Sequence, residues 1–337
     1  MARLENRLGK QTVTFTSRPR IHCSYTIVGP SEGNGPHALE FQEILQDDML
    51  HQKTPEQAER LMLEMAIEKA LAAGQLKADD LHFFVAGDLL NQIITSTFAA
   101  RSCGVPFLGV YGACSTFLEA MGLAGVLLQG GFATRVLVAT ASHYQTAERQ
   151  FRYPLELNVQ HTETNQHTVT GAAAAVISHE GDGPSLTHAT FGTVVDWGMK
   201  NVFDMGSAMA PAAFNTIKQH LEDTGRNLED YDLILTGDLG RQGSKMLRIL
   251  LQKENYTGLD RLEDGGAQIY SHRQKIGAGG SGTACVAVMT LGYLLNKLKT
   301  GRIRRALVIA TGALLSTVSA AQGESIPCIA HAISLEG

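Results

Sequence analysis

Aromatic residues, charged residues and long apolar segments are all scarce in this sequence. Aromatics make up 6% of the 337 residues, with a single tryptophan, and charged residues 18%, with a net charge of -5. This acidic balance lacks the basic clustering that nucleic-acid binding needs, so we expect no nucleic-acid partner. No apolar run approaches the ~20 residues that cross a bilayer. Because the opening residues MARLENRLGK also lack the apolar stretch of a secretory signal, we expect neither a signal peptide nor a membrane span.

Cysteine is sparse and shows no pattern. The five cysteines are far apart, and no Cys-x-x-Cys pair or Cys/His group has the spacing of a metal site. We therefore expect a reducing environment, no disulfide framework and no bound metal. No phosphate-binding loop or dinucleotide fingerprint occurs, so no cofactor is expected. The cysteines are Cys23, Cys103, Cys114, Cys285 and Cys328.

Glycine is abundant instead, and it marks an internal repeat. The chain has 35 glycines, which is about 10% against an average of about 7%. The tripeptide Gly-Asp-Leu follows a short β-prone run at Gly87 and again at Gly237, 150 residues later. Cys114 and Cys285 are 171 residues apart, the same offset that relates the segments LVAT and VIAT. These repeats predict a duplicated unit.

Each copy reads as strands that alternate with helices, which indicates an α/β fold with mostly parallel sheets. In each copy the helix after a glycine-rich turn, at residues 115–128 and 283–298, is apolar on nearly every face. Such helices must be buried, and two of them facing each other predict five layers in the order α-β-α-β-α. We place the halves at residues 1–186 and 187–337. The 21 residues by which the two offsets differ are assigned to an insertion at 254–275.

A further helix is predicted before the first Gly-Asp-Leu segment. Thr54 is a suitable N-cap, followed by Pro55 in the first turn and Gln57 three residues after the cap. The helix is expected to end near Ala73, because Gly74 suits a C-cap.

Cys114 stands where the segment FLGVYGAC leads from a strand into one of the buried helices. Unpaired N–H groups and the positive end of the helix dipole favour a thiolate or another anion at this point. The small residues Gly112 and Ala113 suit a sharp turn and leave room for a ligand. The alternative is that Cys114 is a small apolar residue filling a tight helix start. The duplication and the turn together favour the functional interpretation.

These features resemble the thiolase superfamily of condensing enzymes, in which a duplicated βαβαβαββ unit places a nucleophilic cysteine at this turn. Longer strings along the whole chain resemble a family of stage V sporulation proteins of endospore-forming bacteria, which has a thiolase-like fold. These strings are AGDLLNQ (86–92), YGACST (111–116), AERQFRYP (147–154), FDMGSAMAPAA (203–213), YDLILTGDL (231–239), AGGSGTAC (278–285) and ATGALLS (310–316).

The resemblance implies a ligand, partners and a location. The ligand is dipicolinic acid (pyridine-2,6-dicarboxylate), with or without calcium, which moves into the developing spore and out again in germination. The partners are membrane proteins of the same sporulation complex, and fold analogy implies a homodimer. The location is the forespore or spore, where the protein would associate peripherally with the inner membrane through those partners.

Condensing enzymes pair the cysteine with a histidine and with an asparagine or second histidine from the second repeat. The first partner is expected just after the strand at 233–236, where the sequence has Gly237-Asp238. The second is expected within 277–285, where neither His nor Asn occurs. Because each such group contributes roughly 10²–10⁴ in rate, we expect no condensing activity. The alternative is a Cys-dependent acyltransferase or thioesterase that uses Cys114.

The two glycine-rich turns present backbone N–H groups at helix starts, which suit a dicarboxylate. Gly237, in the place of a histidine, is expected to make room for the pyridine ring. Asp238 would repel a dianion unless calcium bridges them or its side chain points away; alternatively, Asp88 and Asp238 both cap the helices that follow. The predicted ligand-binding residues are Cys114, Ser115, His143, Gly237, Asp238, Gly280, Ser281 and Gly282.

Three further residues have two interpretations each. Arg149 and Arg152 suit a carboxylate clamp, but a contact in the dimer interface is favoured. His143 follows the LVAT strand and could line the pocket, and a structural histidine is the alternative.

Overall fold

The computed structural model describes residues 5–151 and 162–337. The strands are β1 (Arg7–Leu8), β2 (Thr12–Thr14), β3 (Arg20–Val28), β4 (Glu43–Ile44), β5 (Phe83–Ala86), β6 (Phe107–Gly109), β7 (Arg135–Ser142), β8 (Gln166–Thr168), β9 (Gly171–Ser178), β10 (Ser185–Phe191), β11 (Leu233–Thr236), β12 (Leu262–Asp264), β13 (Gly279–Ser281), β14 (Arg305–Ala313) and β15 (Cys328–Glu336). The helices are α1 (Pro30–Gly33), α2 (Pro55–Ala73), α3 (Ile94–Cys103), α4 (Thr116–Gln129), α5 (Tyr144–Phe151), α6 (Met205–Thr224), α7 (Gly240–Lys253), α8 (Gly265–Ile269), α9 (Thr283–Val288), α10 (Leu295–Lys299) and α11 (Thr317–Ala321). A π-helical segment, Met289–Leu294, joins α9 to α10, so that residues 283–299 form one continuous helix.

Both halves of the chain build a five-stranded sheet with the same strand order. The first sheet has the order β6-β5-β7-β9-β3, and the second has the order β12-β11-β14-β15-β10. In each, the first three strands are parallel, and the remaining two pair antiparallel with their neighbours. The pairing of Arg20 with Ser185 joins β3 to β10 and so links the two sheets. The predicted duplication is therefore present in the topology.

Three apolar clusters separate the layers. The largest lies between the two sheets, around α4 and the helix at 283–299. A second covers the outer face of the first sheet beneath α2 and α3, and a third covers the outer face of the second sheet beneath α6 and α7. The layers thus follow the predicted order of helix, sheet, helix, sheet, helix.

Small residues let α4 approach its neighbours closely. A Cβ atom on Gly122 would lie 2.9 Å from the Phe191 ring, and one on Gly125 would lie 2.5 Å from the Phe15 ring. Each glycine costs the helix roughly 1 kcal/mol of intrinsic propensity relative to alanine. Tertiary packing, rather than propensity, therefore stabilises α4.

Helix bounds agree with the sequence patterns. Helix α2 begins at Pro55 after Thr54, whose hydroxyl accepts a hydrogen bond from the Gln57 backbone N–H at 3.3 Å, and Gly74 is its C-cap. The two helices predicted to be buried correspond to α4 and the helix at 283–299, and most of their side chains are buried. The predicted boundary after residue 186 falls within β10.

The predicted insertion at 254–275 begins too early. Strand β12 pairs in parallel with β11, just as β6 pairs with β5, so residues 262–264 belong to the repeated unit. The offset is 155 between Phe107 and Leu262 but 171 between Cys114 and Cys285, so 16 of the 21 extra residues lie between β12 and α9. They form α8 and β13.

Within residues 5–151 and 162–337, the structure contains no helix with the length and apolar character needed to cross a membrane.

Replacing Phe117 with alanine tests the central layer. Phe117 is fully buried on α4, so the free energy of unfolding should fall by about 3–5 kcal/mol. Phe132 lies just beyond the same helix with 70% of its surface exposed, so Phe132→Ala should change that free energy by less than about 0.5 kcal/mol. Urea unfolding measures both, and equal losses at the two positions would contradict the assigned layer.

Candidate functional site

Cys114 lies at the elbow between β6 and α4. The residue before it, Ala113, has a φ of +50°, a left-handed conformation that is uncommon for residues other than glycine. The first hydroxyls of the helix hold this turn: Ser115 donates to the Gly112 carbonyl and Thr116 donates to the Ala113 carbonyl, each at 2.6 Å. The thiol is thus fixed at a sharp bend rather than on a free loop.

The second glycine-rich turn faces Cys114 from the other half. Gly282, with a φ of +104°, starts α9, and its backbone N–H is directed at the Cys114 thiol. The Ser142 hydroxyl at the end of β7 accepts from Ala284 N at 3.2 Å and donates to the Val169 carbonyl at 2.7 Å. This serine therefore ties the second turn to the first sheet, and the two turns meet as predicted.

A buried carboxyl group also faces the thiol. Asp238 is fully buried, and its Oδ1 accepts a hydrogen bond from the Thr311 hydroxyl at 2.6 Å. Its Oδ2 has no hydrogen-bond partner, and the carboxyl group is close enough to the Cys114 thiol for each to affect the pKa of the other. The segment after β11, where a condensing enzyme would supply a histidine, therefore presents a carboxyl group to the cysteine.

The environment keeps the thiol protonated. Loss of solvation raises the pKa of the Cys114 thiol well above its ordinary value, and the Asp238 carboxyl raises it further. Loss of solvation likewise raises the pKa of Asp238 to about 7, with a contribution from the nearby Asp264. The Gly282 N–H and the helix start favour a thiolate but do not offset these effects. At neutral pH the site therefore holds a thiol rather than a nucleophilic thiolate.

Asp88 and Asp238 occupy matching positions in the two halves but have different roles. Asp88 accepts hydrogen bonds from two backbone N–H groups near the start of α3, at 2.9 and 2.8 Å. At the start of α7, Leu239 N and Gly240 N, the second of which matches Leu90 N, donate to Asp264 instead, at 2.9 and 2.8 Å. The capping interpretation is therefore right for Asp88 and wrong for Asp238, which Asp264 leaves free to face Cys114.

Two adjoining cavities lie at the elbow. The inner cavity, of about 20 Å³, has room for roughly one water molecule. The outer pocket, of about 530 Å³, shares Leu89, Phe151 and Leu315 with it. The other residues lining the outer pocket are Leu90, Asn91, Gln92, Ile93, Gly109, Val110, Tyr111, Gln150, Leu314, Ser316, Thr317 and Val318. Of these two cavities, the outer pocket has the size of a small-molecule site and the inner cavity does not.

Three of the predicted ligand residues, Cys114, Ser281 and Gly282, line the inner cavity. Ser115 does not, since its hydroxyl is buried in the turn that it stabilises. Gly280 is covered instead, because a Cβ there would lie 2.7 Å from the Ile269 side chain.

The remaining predicted residues lie outside the lining of both cavities. A Cβ on Gly237 would lie 2.5 Å from the Cβ of Val286, so the space expected for a pyridine ring is filled by α9. His143 interacts through Nε2 with the Asp48 carbonyl at 3.2 Å and through Nδ1 with Gln145 N at 3.2 Å, in a buried turn. The structure thus gives Gly237 a close-packing role and His143 a structural one.

Arg149 does not line either cavity. Arg149 forms an ion pair with Glu56 at 2.6 Å on the surface between α5 and α2. Arg152 lies outside the described residues.

None of the ligand-binding residues predicted from the sequence lines the outer pocket. Its walls come from the segment after the first Gly-Asp-Leu, from the end of α5 and from the segment after β14. The Gly-Asp-Leu repeat was the one signal that pointed here, because it marks the carboxyl end of β5. No spacing rule relates that segment to residues 314–318, which only the fold brings together.

The family model for stage V sporulation protein AD (SpoVAD) matches residues 9–336. The chain belongs to the SpoVAD family. Stage V sporulation protein AD of Bacillus subtilis (strain 168) is 45% identical to it over 328 residues, which are 97% of each protein. Membership of the SpoVAD family assigns the protein to sporulation and confirms the resemblance found in the sequence.

Solved structures share the fold of this SpoVAD-family chain at low sequence identity. The 3-oxoacyl-[acyl-carrier-protein] synthase III of Aquifex aeolicus VF5 is 16% identical, with a TM-score of 0.57 over 95% of this chain and 100% of that one. Cerulenin-bound OleA of Xanthomonas campestris is 14% identical, with a TM-score of 0.58 over the whole of both chains. These similarities confirm the predicted thiolase-like fold.

Replacing Asp238 with asparagine tests the buried carboxyl group. A pKa of about 7 in the folded protein is above the ordinary value of about 3.9. The stability that the protonated group contributes is therefore complete at low pH and is lost as the pH rises through 7. Between pH 5 and pH 8, the wild type should lose about 2 kcal/mol of unfolding free energy relative to Asp238→Asn.

Urea unfolding at both pH values measures this difference. Asp79→Asn, at an exposed carboxyl group, is the control. A difference between wild type and Asp238→Asn that does not change with pH would show that Asp238 is not held protonated.

Proposed function

We propose that this protein binds dipicolinic acid without catalysing a reaction, and that it serves the movement of this compound into developing spores and its release in germination. The observation that carries the proposal is the pairing of Cys114 with the Asp238 carboxyl group in place of a catalytic base. Membership of the SpoVAD family supports the role in sporulation.

Loss of the catalytic groups supports binding rather than chemistry. A nucleophilic cysteine needs a base that takes its proton or a positive environment that lowers its pKa. Burial and the Asp238 charge both raise the pKa of the Cys114 thiol, so its surroundings oppose the thiolate that such chemistry needs. The cavities next to Cys114 are present, whereas the partners that would activate its thiol are not in the segments where a condensing enzyme has them.

The outer pocket is the better location for the pyridine ring. Its volume of about 530 Å³ falls in the usual range for small-molecule sites, roughly 300–1,000 Å³. Leu89, Phe151 and Leu315 offer an apolar wall for a flat ring. Amides and hydroxyl groups of Asn91, Gln92, Gln150, Tyr111, Ser316 and Thr317 are available to the carboxylates. The inner cavity, with Cys114, Ser281 and Gly282, forms the closed end of this site.

Calcium is proposed as cargo that enters with the ligand. Among the described residues, no group of three or more His, Cys, Asp or Glu side chains is arranged to hold a metal ion. The residues that line the outer pocket include no carboxylate. Bridging of Asp238 to the ligand is not favoured, because this residue is fully buried outside the cavity lining.

The remaining partners are proposed from the fold and the family. Strand β6 is the edge of the first sheet, and its Leu108 side chain is 40% exposed. An exposed edge strand of this kind suits pairing with a second copy of the chain. Membrane proteins of the same sporulation complex would hold the dimer at the inner membrane of the forespore or spore.

Blocking the outer pocket should abolish dipicolinate binding. Thr317 is exposed at its rim, so Thr317→Trp should weaken the binding measured by titration calorimetry at least tenfold. Thr300→Trp makes the same change at an exposed threonine away from both cavities and should leave affinity within twofold. Cys114→Ala should retain binding within about threefold, since a thiol contributes little to anion binding.

Each result has a distinct meaning. If the wild type produces no heat with dipicolinate, the proposed ligand is wrong. If Thr317→Trp binds as tightly as the wild type, the ligand lies elsewhere. Loss of binding in Thr300→Trp would mean that the tryptophan acts through a general disturbance of the fold.

The alternative, an acyltransferase or thioesterase that uses Cys114, predicts a covalent intermediate. We expect no mass increase on the protein after incubation with acyl-CoA, because the thiol stays protonated at neutral pH. Intact mass spectrometry measures this directly. An acyl adduct that forms on the wild type and disappears in Cys114→Ala would establish the enzyme and overturn the non-catalytic proposal.

A further inference from the structure

Two carboxyl groups are buried beneath the rim of the outer pocket, close enough for the charge of one to affect the other. Glu59 on α2 and Asp88 after β5 are both fully buried. Glu59 Oε1 has no hydrogen-bond partner, and neither group forms an ion pair with any described residue. Burying an unpaired carboxylate is costly, so this arrangement is stable only while a proton neutralises one member of the pair.

Asp88 holds one wall of the pocket. Its two carboxylate oxygens accept from Leu90 N at 2.9 Å and from Ser96 N at 2.8 Å, on either side of the segment 91–93. Within that segment Gln92 and Ile93 have φ values of +57° and +49°. A β-branched residue rarely adopts such a conformation unless its surroundings impose it. The Asp88 hydrogen bonds are thus the restraint on a strained segment.

Glu59 holds the opposite wall. Its Oε2 accepts a hydrogen bond from the Thr146 hydroxyl in the first turn of α5. The other end of α5 carries Gln150 and Phe151, which line the pocket. Gln150 Nε2 also donates to Asn91 Oδ1 at 2.8 Å, so the two walls contact each other directly. One buried pair therefore anchors both walls.

Other charged groups near the pair do not neutralise it. Glu56, one turn earlier on α2, is paired with Arg149 of α5, and Arg60 lies beside Glu64 and over the Phe98 ring. The remaining titratable groups on the elements packed around the pair are Asp48, Tyr111, His143 and Glu148.

Protonation of the pair is set near neutral pH. Burial raises the pKa of Glu59 to about 8, and the Asp88 charge adds to the rise. Burial also raises the pKa of Asp88, while its backbone hydrogen bonds oppose that change. Because the two groups titrate as a pair, geometry assigns the charge: Asp88 accepts two backbone hydrogen bonds and is the better placed to carry it, whereas Glu59 has an unpartnered oxygen. Because the folded pKa of Glu59 is raised, the stability that depends on this proton is complete at low pH and is lost as the pH rises through 8.

We propose that the Glu59–Asp88 pair is a proton-dependent latch that keeps the two walls of the outer pocket in place. Loss of the Glu59 proton leaves two adjacent buried carboxylates, which separate when the rim opens and water enters. The proposed latch depends on the proposed function in one respect, because it takes the outer pocket to be the ligand site.

Hydrogen exchange on the full chain tests the latch without any ligand. Protection factors, referred to the unfolded chain at each pH, are compared at pH 6.5 and 8.5 for peptides covering residues 89–96 and 144–151. In the wild type, protection at the rim should fall at least tenfold more between these pH values than protection of peptides from α4, which reports the change in global stability. In Glu59→Gln, which is nearly isosteric and cannot ionise, rim protection should change with pH no more than α4 protection does.

Two further variants keep the result interpretable. Glu32→Gln removes another buried carboxyl group, one that bonds to Thr170 N and Tyr270 away from the rim, and it should show the pH dependence of the wild type. Asp88→Asn also removes the charged pair, so it should lose the pH dependence even if Glu59→Gln does not fold.

A wild-type rim whose protection does not change with pH would overturn the latch. So would a pH dependence that persists in both Glu59→Gln and Asp88→Asn. The calorimetric titration with dipicolinate is a separate measurement: its failure would remove the proposed ligand, whereas the exchange data alone decide the latch.

Discussion

Burial of two apolar helices between two sheets is the constraint on which the rest of the structure depends. Most side chains of α4 and of the helix at 283–299 are buried, their first turns above all, so the turns that lead into these helices are buried as well. This brings the Cys114 elbow against the Gly282 turn. The same exclusion of water makes every charge in this layer costly. It therefore explains both why a pocket exists here and why the thiol next to it stays protonated.

The two halves have the same backbone fold, but side chains at matching positions make different hydrogen bonds. The matching residues Thr140 and Thr311 both donate through their hydroxyls, to the Gly87 carbonyl in the first half and to the Asp238 carboxyl in the second. Asp264 supplies the cap of α7 that Asp88 supplies for α3. With its capping role transferred, Asp238 can face Cys114. The second half therefore adds a carboxyl group beside Cys114, and the matching segments also lack the histidine and asparagine partners of a condensing enzyme.

The fold was predictable because its signals are local and repeated: two offsets, two apolar helices and two glycine turns. The meeting of Cys114 with Gly282 followed from the duplication in the same way. Other features depend on packing between distant segments. Val286 fills the space beside Gly237, and the segment 314–318 closes a pocket begun by residues 89–93. No sequence pattern indicates that these segments meet. The predicted ligand site was therefore centred on Cys114 and Gly237, in the interior, and the outer pocket was not predicted.

Several carboxyl groups around the pocket are buried, and the proposed binding function has to account for them. Glu59, Asp88, Asp238 and Asp264 are all buried, and burial raises the pKa of each. Apolar residues of similar volume would stabilise such positions at least as well, so fold stability alone does not account for all four. In an enzyme, perturbed groups of this kind take protons from a nucleophile or give them to a leaving group. Here Asp238 raises the pKa of the Cys114 thiol, while Glu59 and Asp88 hydrogen-bond to the two walls of the outer pocket, the arrangement on which the proposed binding site and latch depend.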